Sequence, residues 1–315
     1  MTESASDHWS DYWSRGLLTS LPQDFAANYD GEVRAFWHQQ FAATPAGGRV
    51  LDLCTGNGAV ALLAADYSGQ HQGGLEVTAV DAAHIRPDLI ARQFPTQAAL
   101  LERIHFVSHC RIEDFESPEP FDLVTSQYGI EYCDHAAAAR SVVALLRPGG
   151  RLVMVCHSAG SDIIAFMNKE RDEYGLLEEL GLFSTTRAYL DREVSHGELA
   201  AGLRRVQSRV HSEFRVTGSP LFRSVLETLG GVLALPPHRL DASREHLEAY
   251  YRQTRHGFDR LEDMLRVNRL LAEDPGWTRV FTEAGLEQVS TGELRYRGTH
   301  HAGEFHVFAR PGAGD

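Results

Sequence analysis

The stretch at residues 49–62, RVLDLCTGNGAVAL, constrains the fold of this chain more than any other. Arg49 to Leu53 is an apolar run broken by one carboxylate, Asp52, and reads as a buried strand. Cys54-Thr55-Gly56-Asn57-Gly58 reads as a turn: Gly56 can take a positive φ, and Gly58, with no Cβ, lets a ligand approach the backbone. Ala59-Val60-Ala61-Leu62 then restores helical composition, so the free N–H groups of a helix N-terminus face whatever lies above the strand. A strand that feeds a helix through two glycines is expected to hold a ligand.

Two ligand classes use such a turn. Dinucleotides want G-x-G-x-x-G/A with an acid roughly 20 residues on, and Gly56-x-Gly58-x-x-Ala61 with Asp81 fits that pattern loosely. Asp52 tips the balance. A carboxylate four residues before the first glycine would face a pyrophosphate unfavourably but suits a cationic ligand. S-adenosylmethionine carries an ammonium and a sulfonium and no phosphate, and is therefore favoured over NAD.

From residue 49 a strand recurs roughly every 25 residues, at 49–53, 75–81, 104–109, 121–126 and 151–157, with helical stretches at 59–66, 87–94 and 136–146, the alternation that specifies a parallel sheet with right-handed crossovers. Residues 286–297 and 304–310 alternate and are joined by Gly298-Thr299-His300-His301-Ala302-Gly303, so they read as an antiparallel pair. The fold class expected is α/β: a seven-stranded, doubly wound, mostly parallel sheet with a C-terminal antiparallel hairpin, plus an all-helical insertion after strand five. Such a sheet differs from a six-stranded dinucleotide fold. Residues 161–180, 196–214, 221–233 and 243–271 carry helical periodicity. They are too many for a loop. Residues 159–270 are thus expected as an insertion over the carboxyl ends of the strands, covering the substrate, with 1–158 and 271–315 as the core. Asp274-Pro275-Gly276-Trp277 should open a last core helix that ends at Gly285.

Residues 1–48 hold Trp9, Trp13 and Trp37 with Tyr12 and Tyr29, and residues 30–41 have a helical period. This aromatic segment either docks on the core or folds over the ligand as a lid.

With 43 acidic against 30 basic residues and net charge −13, the chain lacks the basic footprint of a nucleic-acid binder, so a small-molecule substrate is expected. Cys54, Cys110, Cys133 and Cys156 fall within or just after expected strands, have no C-x-x-C spacing and read as buried, reduced thiols. Residues 1–13 lack the basic and apolar regions of a secretory signal, and no apolar run reaches 18 residues, so neither a signal nor a membrane span is expected and a cytoplasmic location is. His300, His301 and His306 flank the expected hairpin turn in a spacing that matches no closed zinc pattern, and read as exposed turn histidines; no metal is expected.

With these residues in place, the chain resembles the class I S-adenosylmethionine-dependent methyltransferases over residues 25–158 and 272–311. Its core is similar to the ubiquinone/menaquinone C-methyltransferase-like small-molecule group. The resemblance implies that Asp52, Cys54, Gly56 and Gly58, with Asn57 between the glycines, hold the methionine part of the cofactor. It implies too that Asp81, with Ala82 beside it, binds the ribose diol. For the adenine amine the family often has an acid and a small residue after strand three. This chain has His109-Cys110-Arg111-Ile112-Glu113-Asp114 there, so Arg111 can stand at the usual acid position with Ile112 offering backbone contacts, or Glu113 can take the adenine; a helix-capping or solvated role for Glu113 and Asp114 is the third reading. Ser126 and Gln127, at the end of strand four, complete the implied cofactor set. Ser126-Gln127-Tyr128-Gly129-Ile130-Glu131-Tyr132 replaces the N/D-P-P-Y of amide and nucleobase methylases, which turns the reading away from those substrates.

A sulfonium is already a good leaving group, so such an enzyme must chiefly align the acceptor and exclude water. A base is needed only for a hydroxyl or acidic carbon. Glu131, Tyr128 and His157 are expected near the ends of strands four and five, and His157 is the best base candidate because imidazole titrates near neutrality. The alternative is a satisfied structural histidine. Two further readings stay open. One is a protein that binds S-adenosylmethionine or S-adenosylhomocysteine without methyl transfer, its insertion mediating association, for instance as a homodimer. The other is an NAD-dependent oxidoreductase.

Overall fold

A computed structural model describes residues 3–20, 25, 27–71, 74–158, 162–298 and 300–312. Seven strands form one sheet: β1 Arg49–Leu53, β2 Glu76–Val80, β3 Ile104–Val107, β4 Phe121–Gln127, β5 Leu146–Cys156, β6 Glu287–Tyr296 and β7 His300–Ala309. Their order is β3-β2-β1-β4-β5-β7-β6. The first five run parallel, whereas β7 lies antiparallel to both β5 and β6. The order reverses between β1 and β4, and an open α/β sheet parts its crossovers there to leave a crevice at the carboxyl ends of the strands. The α/β class and the mostly parallel seven-stranded sheet agree with the sequence reading.

Helices α1 Glu3–Trp13 and α2 Gly31–Ala42 precede β1; α3 Ala59–His71, α4 Pro87–Gln93 and α5 Ala98–Leu101 lie between β1 and β3, and α6 His135–Leu145 leads into β5. β1 and β4 are covered on both faces, and almost every residue in them is buried, the polar Asp52, Asp122, Thr125 and Ser126 included. Helix α3 follows from the same demand, since its alanines at 59, 61, 64 and 65 are all buried and let it approach the sheet closely. Helix α2 presents Val33, Trp37 and Phe41, each four residues from the last, to the core. Trp37 is wholly buried, and its indole N–H donates to Gln127 Oε1 at 2.5 Å, which ties α2 to the last residue of β4. Glu32 accepts the backbone N–H groups of Arg297 and Gly298 at 3.1 Å each, fixing the other end of α2 to the C-terminal hairpin.

Two strands start earlier than the sequence reading by four or more residues. Strand β5 begins at Leu146 rather than 151, because Leu146 already pairs with Phe121 and Gly149, at φ +78°, donates to the Arg310 carbonyl. Strand β7 begins at His300, so His300 and His301 are strand residues opposite Tyr296 and Arg295 rather than turn residues. Arg297 and Gly298, both at positive φ, make the tighter turn. The aromatic N-terminus contains α1, which periodicity did not reveal. Residues 159–161, where the expected insertion and its first helix start, and Thr299 in the expected turn lie outside the described residues.

The chain divides into two compact units, residues 1–164 with 266–315, and residues 165–265. The second is helical. It is built from α7 Asp162–Glu179, from Ala165 onward, with α8 Leu182–Leu190, α9 His196–Thr217, α10 Pro220–Ala234, α11 Pro237–Ala242 and α12 Arg244–Glu273 as far as Leu265. A capping box starts α9, where Ser195 and Glu198 satisfy each other's backbone N–H. Gly218 at φ +64° ends it and Pro220 begins α10, which accounts for the break at Gly218-Ser219-Pro220. Ser219 donates to Glu173 at 2.6 Å, and Tyr189 to Asp241 at 2.7 Å. In the first unit, α13 Arg279–Glu283 is the short last helix before β6. No helix among the described residues is long and apolar enough to cross a membrane.

Trp37 offers a direct check on how the core supports the sheet. Trp37→Ala should lower the unfolding free energy by about 3–5 kcal/mol through lost burial. Trp37→Phe, which mainly removes the N–H opposite Gln127, should cost about 1–3 kcal/mol. Urea denaturation of both variants measures the difference, and equal losses would contradict the dominance of packing at this position.

Candidate functional site

At the carboxyl ends of β1, β2 and β4 the first unit opens into a cleft of about 970 Å³, its open mouth included. Most of the sequence-chosen residues meet there: Asp52, Cys54, Asp81, Ala82, Arg111, Ile112, Glu113, Gln127 and Tyr128 all line it. Gly56, Asn57, Gly58, Ser126, Glu131 and His157 do not, and each is occupied by the protein's own packing.

Two carboxylates form the floor. Asp52 is 2% exposed, and its oxygens accept from the hydroxyls of Thr55 at 2.5 Å and Thr125 at 2.8 Å. Asp81, one residue beyond β2, accepts from the backbone N–H of Gly56 and that of Ala83, each at 2.7 Å. Among the described residues neither carboxylate has an ion-pair partner. Burial therefore pushes Asp52 up to about 7 and Asp81 up to about 6, the hydrogen bonds offsetting only part of the desolvation.

The glycine turn is packed more tightly than the sequence implied. Gly56 lies under the Trp13 indole, where a Cβ would come within 2.5 Å of the ring. A Cβ on Gly58, the position expected to admit a ligand, would instead strike the Phe106 ring at 2.8 Å. Both glycines are required by the chain's own side chains. Asn57 is a clamp: its Nδ2 donates to the carbonyls of Trp13 at 2.9 Å and Leu17 at 2.8 Å, and its Oδ1 accepts from the Arg86 N–H at 2.6 Å. The N-terminal segment is thereby fastened over the turn, and Trp9, Trp13, Leu18, Ser20 and Tyr29 join the cleft wall. Of the two readings of residues 1–48 the fold contains elements of both, since Tyr12 and Trp13 are buried with Ala83 and Ile85 while Trp9 and Trp13 also face the cleft. The density of aromatics near the N-terminus was the signal; which rings would reach the cleft was not in it.

At the rim, Arg111 pairs with Glu113 at 3.2 Å, and Glu113 also accepts the N–H of Asp134 at 3.3 Å. Burial alone would raise Glu113, but the guanidinium and backbone donors outweigh it and hold the carboxyl below its ordinary value. Ile112 is buried between them in sequence. Ser126 turns inward and accepts the Ile130 N–H at 3.1 Å.

After β4 the chain bends sharply at Tyr128, a non-glycine residue at φ +55°. Its hydroxyl donates to the Ala302 carbonyl at 3.1 Å, and burial raises the phenol well above its ordinary range. His157 follows β5. Glu131 Oε1 lies 2.8 Å from His157 Nδ1 and accepts the His157 backbone N–H at 3.0 Å. The imidazole sits against the rings of Tyr128 and Tyr132, with centroids 4.7 and 6.0 Å away, so the pair stands one layer behind two aromatic residues of the cleft wall. A carboxylate on Nδ1 fixes the ring and leaves Nε2 as its working nitrogen.

The residues fit a cationic, ribose-bearing ligand. Two buried carboxylates without counter-ions need positive charge or hydroxyl donors, and each Asp81 oxygen has used only one of its lone-pair sites. Aromatic faces around them favour a cation.

Comparison with known proteins follows the same direction. A family model described as a methyltransferase domain matches residues 25–194, more than half of the 315. No curated protein matches the chain. Among solved structures, YcgJ of Bacillus subtilis is 25% identical over 44% of this chain and 58% of its own, with a TM-score of 0.33. The N-methyltransferase NodS of Bradyrhizobium japonicum is 13% identical over 90% of this chain and 98% of its own, at 0.39. Geranyl diphosphate C-methyltransferase of Streptomyces coelicolor is 14% identical over 40% of this chain and 45% of its own, at 0.32. The chain thus spans about half the length of the first and last of these three. By the match over residues 25–194, this chain belongs to the methyltransferase domain family.

Proposed function

We propose that the chain transfers the methyl group of S-adenosylmethionine to a small-molecule acceptor. The observation that carries this reading is the pair of buried, uncompensated carboxylates, Asp52 and Asp81, in an aromatic-walled cleft at the switch point of the sheet. Asp81 would take the ribose hydroxyls, and Asp52 would supply negative charge beneath the methionine part. When bound, the cofactor supplies an activated methyl group on a sulfonium leaving group. Trp9, Trp13, Tyr29 and Tyr132 would exclude water from it, and Arg111 with Glu113 would border the adenine end. A small acceptor is favoured by the acidic balance of the chain, net −13, which opposes a phosphate backbone. We assign the helical unit, residues 165–265, to acceptor selection from its place in the chain after β5.

For an acceptor that must lose a proton, His157, one layer behind the Tyr128 and Tyr132 rings, is the base we assign; it reaches the acceptor when those rings part, and Glu131 is its positioning residue through Nδ1. Tyr128, its hydroxyl donated to Ala302 and its phenol pushed up, belongs to the wall rather than to proton transfer.

The cofactor assignment is tested by calorimetry with S-adenosylhomocysteine. Asp81→Ala should weaken binding by about 1.5–3 kcal/mol for each charge-assisted hydrogen bond lost. Undiminished affinity in a folded Asp81→Ala protein, or tight NAD binding by the wild type, would end the assignment. Acidity gives a second readout. Donors and cationic charge on the ligand favour the ionised carboxylates, so binding should release protons and weaken as pH falls from 8 through about 6, where Asp81 and Asp52 gain protons in the free protein. Asp81→Asn should remove the part of that decline centred near 6.

Turnover tests the proton transfer. His157→Gln should lower kcat by about 10²–10⁴ with S-adenosylhomocysteine affinity near wild type. Glu131→Gln should shift the acidic limb of the pH–rate profile. A histidine that only packs would instead lower thermal stability and leave turnover per folded molecule and the pH profile unchanged.

The role of the helical unit is open to hydrogen exchange. Amides in residues 165–265 should gain protection when S-adenosylhomocysteine and acceptor are both present. Full protection in the free protein, with cross-links between copies in this unit, would favour association instead.

A further inference from the structure

Three of the four cysteines, Cys54, Cys110 and Cys133, line the same cleft, and two of them are almost in contact. Cys54 Sγ and Cys133 Sγ are 3.8 Å apart. Cys54 follows β1 at φ +54°, and Cys133 follows the helical turn Ile130–Tyr132. The two segments are pressed together, for a Cβ on Gly129 would fall 2.2 Å from Cys54 Cβ. A disulfide has its sulfurs about 2.05 Å apart, so the pair must close by less than 2 Å, a shift on the scale of side-chain rotation.

We propose that Cys54 and Cys133 are a reversible thiol pair, which hydrogen peroxide oxidises to an intramolecular disulfide that lowers the affinity of the cleft for its cofactor. The proposal rests on the cofactor reading of the cleft. Cys133 attacks first, since Cys54, the other member of the 3.8 Å pair, is the poorer nucleophile. Its sulfur takes one peroxide oxygen, the O–O bond breaks, and the other oxygen leaves as water with the thiol proton. Cys54 is the resolving thiol; its bond to Cys133 and its burial hold it well above its ordinary value. Its sulfur displaces the oxygen of the Cys133 sulfenic acid as a second water. Both sulfurs are oxidised by one electron each, and the two peroxide oxygens are reduced to two waters.

The effect on the cleft follows from position. Cys54 lies two residues from Asp52 and two from Gly56, whose N–H is bonded to Asp81. Drawing Cys54 toward Cys133 therefore moves the turn that links the two floor carboxylates. A ligand over that turn should in return slow the oxidation.

The full chain, treated with hydrogen peroxide and blocked with N-ethylmaleimide, decides the matter by peptide mass spectrometry and S-adenosylhomocysteine calorimetry. The expected result is a linked peptide pair joining Cys54 to Cys133, a loss of about tenfold in affinity, and recovery of both with dithiothreitol. Within each variant, oxidised compared with reduced, Cys133→Ser should abolish the peroxide effect and Cys110→Ser should retain it. Absence of the linked pair overturns the proposal, as does an equal peroxide effect in Cys133→Ser or a linked pair with unchanged affinity. If the reduced wild type bound no S-adenosylhomocysteine, the cofactor reading would fail and the regulatory claim with it, while the linked pair would still report the thiol chemistry separately.

Discussion

Asp81 is the constraint on which the cleft depends. One carboxylate, just beyond β2, accepts a backbone N–H from the turn after β1 and another from its own loop two residues on. It thus closes the ends of two adjacent parallel strands against each other, one residue beyond the last backbone bond between them, from the Thr55 N–H to the Val80 carbonyl at 3.1 Å. Burial opposes this arrangement by favouring the protonated acid, and the two donors only partly offset it. A structural tie that stays under electrostatic tension until cationic charge or hydroxyls arrive is well suited to a binding site.

The glycine turn illustrates how one residue type can answer to a different neighbour than expected. Gly56 and Gly58 fit a pattern in which bare backbone admits a ligand, yet the Trp13 and Phe106 rings take those spaces. The absent Cβ atoms let the N-terminal helix and β3 press on the turn, and the ligand space lies beside it, floored by Asp52 and Asp81 and walled by aromatic rings. The N-terminal segment is in that sense part of the sheet's binding surface.

Much of this was legible in the sequence because it is local. The order of strand, glycine turn and helix at residues 49–71, the acid ending the second strand and the alternation over 286–310 depend on near neighbours alone. What periodicity could not supply was set by distant partners. Leu146 extends because Phe121 is there to pair with it, and His300 joins β7 because Arg297 and Gly298 turn early. Likewise, the approach of Cys133 to Cys54 and of Glu131 to His157 joins residues 79 and 26 positions apart, a closeness that only the finished sheet determines.

The Asn57 amide has a consequence for opening as well as for shape. It makes three hydrogen bonds, to Trp13, Leu17 and Arg86, at net strengths of about 0.5–1.5 kcal/mol each. Two of the three hold carbonyls of the segment that carries Trp9 and Trp13, so local opening of that wall must break them, and each 1.4 kcal/mol makes the opened form about tenfold rarer.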